Sequence, residues 1–203
     1  MNIKETFKLV RQIFFSIGGL MLAAVIIRFY IVQPFSISGS SMEPTFHDKE
    51  YLLVNELTYH LGSPKRGDVV IFRHPTPACN DFIQKSYLNQ VFFQGSCSNY
   101  IKRVIATPGE TITIRDGKVI IKTKDGEELT LTEEYILTNI PTLGNQTVTL
   151  GEDEYFVLGD NRNPNASSDS REWGVLPRTH IIGKALVVLL PPDEFGFVEK
   201  PAY

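Results

Sequence analysis

The sequence lacks the features that mark several common classes of protein. The chain of 203 residues has no internal repeat, no low-complexity tract and no basic stripe, and its net charge is −3. Proteins that bind nucleic acid usually carry a basic surface, and solenoids repeat at a fixed period. We therefore expect neither class, and nucleic acid is not an expected partner.

Cysteine and histidine are also scarce. Cys79 and Cys97 do not form a C-x-x-C pair, and no histidine lies at metal-ligand spacing from them, so we expect no metal site. Their polar surroundings leave two alternatives open. One is a disulfide that clamps this segment outside the cytosol, and the other is two free thiols. The four histidines lie in no recognisable serine-hydrolase motif, and G-x-S-x-G is missing.

Long apolar runs are limited to one segment near the N-terminus. Residues 13–32 read IFFSIGGLMLAAVIIRFYIV, and twenty helical residues span about 30 Å, the thickness of a bilayer's hydrocarbon core. Lys4, Lys8 and Arg11 precede this run, and basic residues favour the cytoplasmic side. A cleavable signal peptide would also begin with basic residues, but no clear A-x-A-like site follows. We predict a cytoplasmic N-terminus (1–12), a transmembrane helix (13–32) and an extracytoplasmic domain (33–203).

Amphipathic helices of ordinary length are lacking after residue 50. Short segments rich in Val, Ile, Tyr and Phe, bounded by turn residues, predict β-strands instead. Asp116-Gly117, between TITIR and KVIIK, is a strong hairpin signal. The pattern predicts one mainly antiparallel β domain, with residues 74–99 as an inserted loop. The predicted strands lie within EYLLVNELTY, DVVIFRH, NYIKRVIA, ETITIRDGKVIIK, VTLGEDEYFVLGD and HIIGKALVVLL.

Two segments contain residues suited to nucleophilic chemistry. The stretch SISGSSMEPTF (36–46) has four serines, and a serine hydroxyl needs a base, for which lysine can serve. Lys102 lies inside the apolar strand NYIKRVIA, where alternation would place it on one face with Tyr100 and Val104. Burial there would lower its pKa. The strand alone also allows Lys102 to lie on an edge strand, where it would discourage edge pairing.

Four motifs in a fixed order resemble one known family. After the apolar run come SMEPT, RGDVVIF, YIKRVIATPGE and GDNRNPNASSDSREWG. Over most of the chain this order resembles the bacterial type I signal peptidases (leader peptidases), membrane-bound proteases with a Ser–Lys dyad. The resemblance implies a mainly β fold, in which a single N-terminal transmembrane helix precedes an antiparallel β ectodomain of the signal-peptidase type. It also implies a location in the bacterial cytoplasmic membrane, with the catalytic domain on the outer side.

The resemblance implies roles for individual residues. Ser41, before Met in S-M-x-P-T, would be the nucleophile, and Lys102 would be the general base. Ser167 would hold Lys102, with Ser168 as a close rival, because the GDNRNPNASSDSR block is two residues longer than the common pattern. Gly39 lies where some members have a serine that helps to bind the oxyanion, so main-chain N–H groups, first that of Ser41, would take this role. The supporting polar network would contain Asp160, Arg162, Asp169 and Arg171.

The same resemblance implies a reaction and its substrates. Ser41 would attack the scissile carbonyl, Lys102 would move the protons, and water would release the signal peptide, without metal or cofactor. The substrates would be preproteins that carry a signal peptide, and the lipid bilayer would be a partner. Two alternatives are a specialised peptidase for a single exported substrate and an inactive binding homologue. Similarity to family positions suggests apolar subsite residues, each equally compatible with ordinary core: Phe35, Ile37, Met42, Phe46, Tyr100 and Ile101.

Overall fold

The computed structural model describes residues 3–30, 32–85, 97–137 and 140–203. The chain begins with helix α1 (Ile3–Tyr30), and short helices follow at α2 (Leu57–Leu61), α3 (Pro77–Lys85) and α4 (Ser170–Trp173). Two 3-10 turns cover Arg178–His180 and Pro192–Glu194. The strands are β1 (Val32–Ser36), β2 (Tyr51–Asn55), β3 (Val69–Arg73), β4 (Asn99–Ala106), β5 (Thr111–Arg115), β6 (Lys118–Lys122), β7 (Glu128–Thr130), β8 (Gln146–Thr149), β9 (Glu154–Leu158), β10 (Leu176–Pro177), β11 (Ile181–Leu190) and β12 (Gly196–Phe197).

Two antiparallel sheets make up the β structure. The larger sheet has the order β1-β2-β11-β3-β4-β9-β10, with β12 paired to β11, and the smaller has the order β7-β6-β5-β8. Each of these strand pairs is antiparallel. This confirms the prediction of a mainly antiparallel β fold.

The hairpin of β5 and β6 forms as the sequence predicts. Ile112 and Ile114 are buried in β5 while their neighbours are more exposed, as the two-residue period of a strand requires. Asp116 and Gly117 connect the strands with φ angles of 52° and 77°, and Arg115 lies opposite Lys118. Positive φ at both central residues is the requirement of a type I′ turn.

The centre of the larger sheet is buried on both faces. Strand β4 lies between β3 and β9, so Lys102 does not lie on an edge strand. Lys102 and Arg103 are 3% and 1% exposed, although successive side chains of a strand point to opposite faces. Two polar side chains therefore enter the interior from opposite sides of one strand, and each needs a partner there.

The N-terminal helix differs in its bounds from the predicted segment 13–32. Helix α1 begins at Ile3, and β1 already begins at Val32. Residues 4–12 include Lys, Glu, Leu, Arg and Gln, which favour helix and explain the earlier start. Within the described residues, none of the helices combines the length and apolar character that crossing a membrane requires.

The predicted loop 74–99 contains a helix. Residues Pro77–Lys85 form α3, with proline at a favourable N-terminal position, and Thr76 Oγ1 accepts a hydrogen bond from Cys79 N at 3.2 Å. Cys79 and Cys97 form a disulfide, which decides between the two alternatives that the sequence left open. Residues 86–96 of this predicted loop lie outside the described residues. Helix α2 likewise replaces the end of the predicted strand EYLLVNELTY.

Candidate active site

Ser41 lies in the connection between β1 and β2, which is held by internal hydrogen bonds and by packing against the core. Ile37 N donates to Glu50 O at 2.8 Å, and Lys49 N donates back to Ile37 O at 3.0 Å. Met42 and Phe46, on either side of the cis Glu43–Pro44 peptide, are each 1% exposed and belong to the core of the larger sheet. Burial of these two side chains holds the intervening backbone, and with it Ser41, against the sheet.

Lys102 reaches Ser41 from β4, sixty-one positions along the chain. Its Nζ lies 2.7 Å from Ser41 Oγ and 2.8 Å from Ile101 O. Burial lowers the pKa of Lys102 from 10.5 to about 8, although the negative charges of Asp169 and Asp160 act in the opposite direction. At pH 7 about one lysine in ten is then neutral, against about one in 2,500 for an unperturbed lysine. The two atoms are close enough, and the amine basic enough, for proton transfer from the hydroxyl.

The backbone of Ser41 rests against residues 159–161. Asn161 N donates to Ser41 O at 3.1 Å, and Asn161 Nδ2 donates to Ser40 O at 2.9 Å. A Cβ atom at Gly159 would overlap Ser41 O and Ser167 Oγ, so only glycine allows this close approach. Gly159 and Asn161 were not among the predicted site residues. The G-D-N motif contains both, but their contacts with the Ser41 loop are to main-chain atoms, which side-chain chemistry does not reveal.

Asp169 is the centre of a second set of hydrogen bonds. It is fully buried, and its Oδ2 accepts from Ser167 Oγ at 2.9 Å, Arg171 Nη2 at 2.8 Å and Gly159 N at 3.1 Å. Burial acts to raise the pKa of Asp169, but the charge and hydrogen bonds of Arg171, together with the hydrogen bonds from Gly159 N and Ser167, outweigh it and lower the pKa. Asp169 also caps α4 through Arg171 N. The carboxylate therefore joins the Ser167 hydroxyl, the Gly159 backbone and the start of a helix.

The two candidate serines for holding Lys102 differ in their surroundings. The hydroxyl of Ser167 is bonded to Asp169, and within the described residues neither it nor Ser168 forms a hydrogen bond with Lys102. Ser168, in contrast, lines the cavity beside Ser41 and Lys102. The structure therefore brings both serines near the pair without joining either one to the lysine directly.

A buried ion pair connects three of the sequence motifs. Arg103 Nε and Nη2 donate to the two carboxylate oxygens of Asp160 at 2.9 and 2.6 Å, and both side chains are almost completely buried. Thr45 Oγ1 donates to Asp160 Oδ2 at 2.6 Å. Arg103 and Thr45 were not predicted as site residues, although an arginine inside an apolar strand was a signal for a buried partner. The pair fixes β4, and therefore Lys102, relative to the Ser41 loop and residue 160.

Arg162 is bonded to Gly159 and to residues 133 and 142. Its Nε donates to Gly159 O at 2.8 Å, while its guanidinium binds Glu133 and Thr142. The side chain is 1% exposed, and the carboxylate of Glu133 raises its pKa against the effect of burial. Arg162 thus braces the 159–162 segment against residues 133–142.

A cavity of about 430 Å³ opens beside Ser41 and Lys102. Four of the predicted subsite residues line it: Phe35, Ile37, Tyr100 and Ile101. Met42 and Phe46 are not among its lining residues, because both side chains point into the core. The remaining lining residues are Ser36, Ser38, Leu52, Ile71, Asn99 and Ser168.

Comparison with known proteins establishes the family. The model of the signal peptidase family, peptidase S26, matches residues 10–190. The chain belongs to this family. It is a serine endopeptidase of the signal peptidase type, which confirms the resemblance and the class of enzyme predicted from the sequence.

Individual relatives of this peptidase match over most of their length. Signal peptidase I of Leptolyngbya laminosa is 36% identical over 186 residues, which cover 92% of this chain and 82% of the relative. A probable signal peptidase I of Synechocystis sp. is 37% identical over 176 residues, covering 87% and 80%. Signal peptidase I T of Bacillus subtilis is 33% identical over 184 residues, covering 86% and 82%. A solved signal peptidase I of Enterococcus faecalis superposes with a TM-score of 0.39 at 25% identity, over 63% of this chain and 97% of that one.

Proposed function

We propose that this chain is a membrane-anchored serine endopeptidase that removes N-terminal signal peptides from exported preproteins, with Ser41 as nucleophile and Lys102 as general base. The main observation in support of the dyad is the 2.7 Å distance between Lys102 Nζ and Ser41 Oγ. The lysine is also buried, since only 3% of it is exposed. Family membership supports the substrate class.

The first half of the reaction forms an ester on Ser41. Neutral Lys102 accepts the hydroxyl proton while Ser41 Oγ attacks the scissile carbonyl carbon. Collapse of the tetrahedral intermediate breaks the C–N bond, and Lys102 gives its proton to the departing amine. That amine is the new N-terminus of the exported protein, and the signal peptide remains bound to Ser41 as an acyl group.

The second half regenerates the enzyme. Lys102 takes a proton from water, whose oxygen attacks the ester carbonyl, and the proton returns to Ser41 Oγ as the ester bond breaks. The signal peptide leaves as a carboxylic acid, which loses its remaining proton to the solvent. Each step uses the same lysine in its neutral and then its protonated form, so a pKa of about 8 suits both directions of proton transfer.

The N–H group of Ser41 is the first candidate for binding the oxyanion. Within the described residues it donates to no acceptor, whereas Gly39 N is already bonded to Asp48 Oδ1 at 2.7 Å. An N–H donor aimed at the site of developing charge stabilises the transition state more than the ground state. In this account Gly39, with φ of 94°, shapes the turn before the nucleophile and does not contribute a hydroxyl.

The cavity beside the dyad provides the substrate subsites. Phe35, Ile37, Tyr100 and Ile101 give it an apolar wall next to Ser41, which suits small side chains before the scissile bond. Met42 and Phe46 contribute indirectly, since their burial holds the nucleophile loop.

The apolar run 13–32 is the proposed anchor. The basic residues before it, Lys4, Lys8 and Arg11, favour a cytoplasmic location for residues 1–12 and the outer side for 33–203. The disulfide between Cys79 and Cys97 agrees with that side, because disulfides persist in oxidising compartments. Ser41 follows Val32 by nine residues, which span at most about 30 Å, so the nucleophile stays near the membrane surface.

The decisive experiment is cleavage of a purified preprotein by the full chain in detergent. Ser41→Ala and Lys102→Ala should each lower kcat/KM by about 10³-fold or more, because the proposed attack needs both the hydroxyl and the base that accepts its proton. Ser40→Ala is the matched control, since Ser40 is the adjacent, exposed serine and should leave the rate within about twofold. Near wild-type cleavage by either dyad variant would disprove the assignment. A panel of preproteins separates a general enzyme from a single-substrate peptidase.

A further inference from the structure

Three side chains with metal-binding atoms converge at one end of the larger sheet, apart from the proposed dyad. His47, Glu50 and Glu194 each offer one ligand atom, and these atoms all lie within 4.8 Å of one another. His47 Nδ1 and Glu50 Oε1 are 3.0 Å apart. Two ligands of a tetrahedral zinc ion, each about 2.1 Å from the metal, are separated by roughly 3.4 Å. Small side-chain movements would therefore bring this set to ligand distances.

Strand pairing determines where these residues meet. Glu50 immediately precedes β2, and Glu194 ends the 3-10 turn that follows β11. Tyr51 pairs with Leu190, so the start of β2 and the end of β11 lie side by side. His47 O accepts a hydrogen bond from Glu50 N at 3.4 Å, which closes the turn that carries both residues. The cluster is held by the sheet.

Glu50 shows a buried polar atom that is without a partner among the described residues. The residue is 3% exposed, and Oε1 contacts His47, but Oε2 forms no hydrogen bond there. A buried carboxylate oxygen without a partner is costly, and such an atom often marks an ion or water that satisfies it. This observation is independent of the clustering and points to a positively charged ligand.

The adjoining cavity has an excess of acidic side chains. It has a volume of about 550 Å³, and the ionisable residues that line it are Glu50, Glu134, Glu194, Glu199, Arg103, Tyr135 and Lys200. The guanidinium of Arg103 is already bonded to Asp160, which leaves Lys200 as the remaining cation of that lining. The field in the cavity therefore favours a cation at the carboxylates of Glu50 and Glu194.

We propose that His47, Glu50 and Glu194 bind a divalent transition-metal ion of the zinc class, which joins the Ser41 loop to the segment after β11. One imidazole and two carboxylates suit Zn²⁺, whereas Mg²⁺ and Ca²⁺ prefer sites made of oxygen ligands alone. The site departs from the expectation of no metal, which considered histidine only in relation to the two cysteines. It does not depend on the proposed peptidase mechanism.

Calorimetric titration of the metal-stripped full chain in detergent, without a histidine tag, tests the site with ZnCl₂ as the probe. We expect one Zn²⁺ per chain with a Kd of about 10 µM or tighter. His47→Gln and Glu194→Gln, both exposed, should each weaken binding by about tenfold or more. His60→Gln, exposed on α2, and Glu199→Gln, in the lining of the same cavity, are matched controls that should stay within about twofold.

A second measurement, thermal unfolding, tests the role of the buried residue Glu50. Zn²⁺ that binds the folded chain should raise Tm, and Glu50→Gln should abolish that rise even if the variant is itself less stable. MgCl₂ at the same concentration should give no rise. The proposal is overturned if the wild-type chain shows no saturable binding at about 100 µM Zn²⁺. It is equally overturned if His47→Gln and Glu194→Gln bind as the wild type does.

Discussion

Lys102 is the residue on which the proposed chemistry depends. Its place on a central strand buries the amine and lowers its pKa to about 8. Below that pH the folded chain holds a protonated lysine that burial disfavours. Between pH 8 and 10.5 the folded state releases this proton before the unfolded state does, so folding stability rises with pH across that window. At neutral pH the burial of this lysine lowers the free energy of unfolding by about 3 kcal/mol, since each pKa unit corresponds to about 1.4 kcal/mol.

The choice between Ser167 and Ser168 can be made from pH profiles. Ser167→Ala removes a donor to Asp169, whose charge acts on Lys102, so the carboxylate should stabilise the protonated lysine more strongly. We expect kcat to fall by about tenfold and the midpoint of the kcat/KM profile to move to higher pH. Ser168→Ala, in the cavity wall, should mainly change KM. If the midpoint moves in Ser168→Ala and not in Ser167→Ala, Ser168 is the serine that acts on Lys102.

The motifs point to a candidate nucleophile and base more readily than to the residues that position them. Ser41 and Lys102 stand in short motifs whose order along the chain is specific. Gly159 and Asn161 act through contacts with main-chain atoms of the Ser41 loop, and such contacts leave no chemical pattern in the sequence. The bond between Arg103 and Asp160 joins positions far apart in sequence, so only the folded chain shows it.

At the scale of elements, strands with regular alternation were predictable and short helices were not. The β5–β6 hairpin follows from its period of two and its Asp-Gly turn. Helices α2 and α3 have five and nine residues, too few for a clear helical period. Strand β4 is central because β3 and β9 pair with its two edges, and this order results from long-range pairing that periodicity does not reveal.

The segment after β9 provides a test at this scale. Gly159→Ala places a Cβ against Ser41 O and Ser167 Oγ, so the loop must move away from the proposed dyad. We expect the free energy of unfolding to fall by about 1–3 kcal/mol, and kcat/KM to fall by more than the loss of folded protein explains. Urea unfolding and preprotein cleavage measure the two effects.

Gly196→Ala is the matched control for that substitution. A Cβ at Gly196 meets its nearest atom at 3.9 Å, which is ordinary contact. Stability and cleavage should therefore remain close to wild type. If Gly159→Ala is as stable and as active as Gly196→Ala, residue 159 does not lie close to the Ser41 loop.

At the scale of the molecule, the candidate site is assembled from three distant parts of the chain. The loop before β2 carries Ser41, β4 carries Lys102, and residues 159–169 hold the backbone of the first and the charge environment of the second. The sheet order places β2 and β4 on either side of β11 and β3. Loss of the fold therefore separates the proposed nucleophile from its base.

The proposed anchor is also a property of the whole molecule. We expect the full chain to stay in the membrane fraction after extraction with alkaline carbonate, as a transmembrane helix requires. A variant with Leu20→Arg and Leu22→Arg should be extracted, because two charges near the bilayer centre are costly. Immunoblotting of both fractions measures the difference. Release of the wild-type chain would contradict the anchor.

The most direct test of the dyad is the rate at which Ser41 is acylated as a function of pH. An activated peptide ester serves as acyl donor, and peptide mapping by mass spectrometry locates and quantifies the adduct. We expect an adduct on Ser41, a rate that rises about tenfold per pH unit below a midpoint near pH 8, and no measurable adduct in Lys102→Ala. An adduct on another residue, or a rate that does not change across this range, would disprove the proposed dyad.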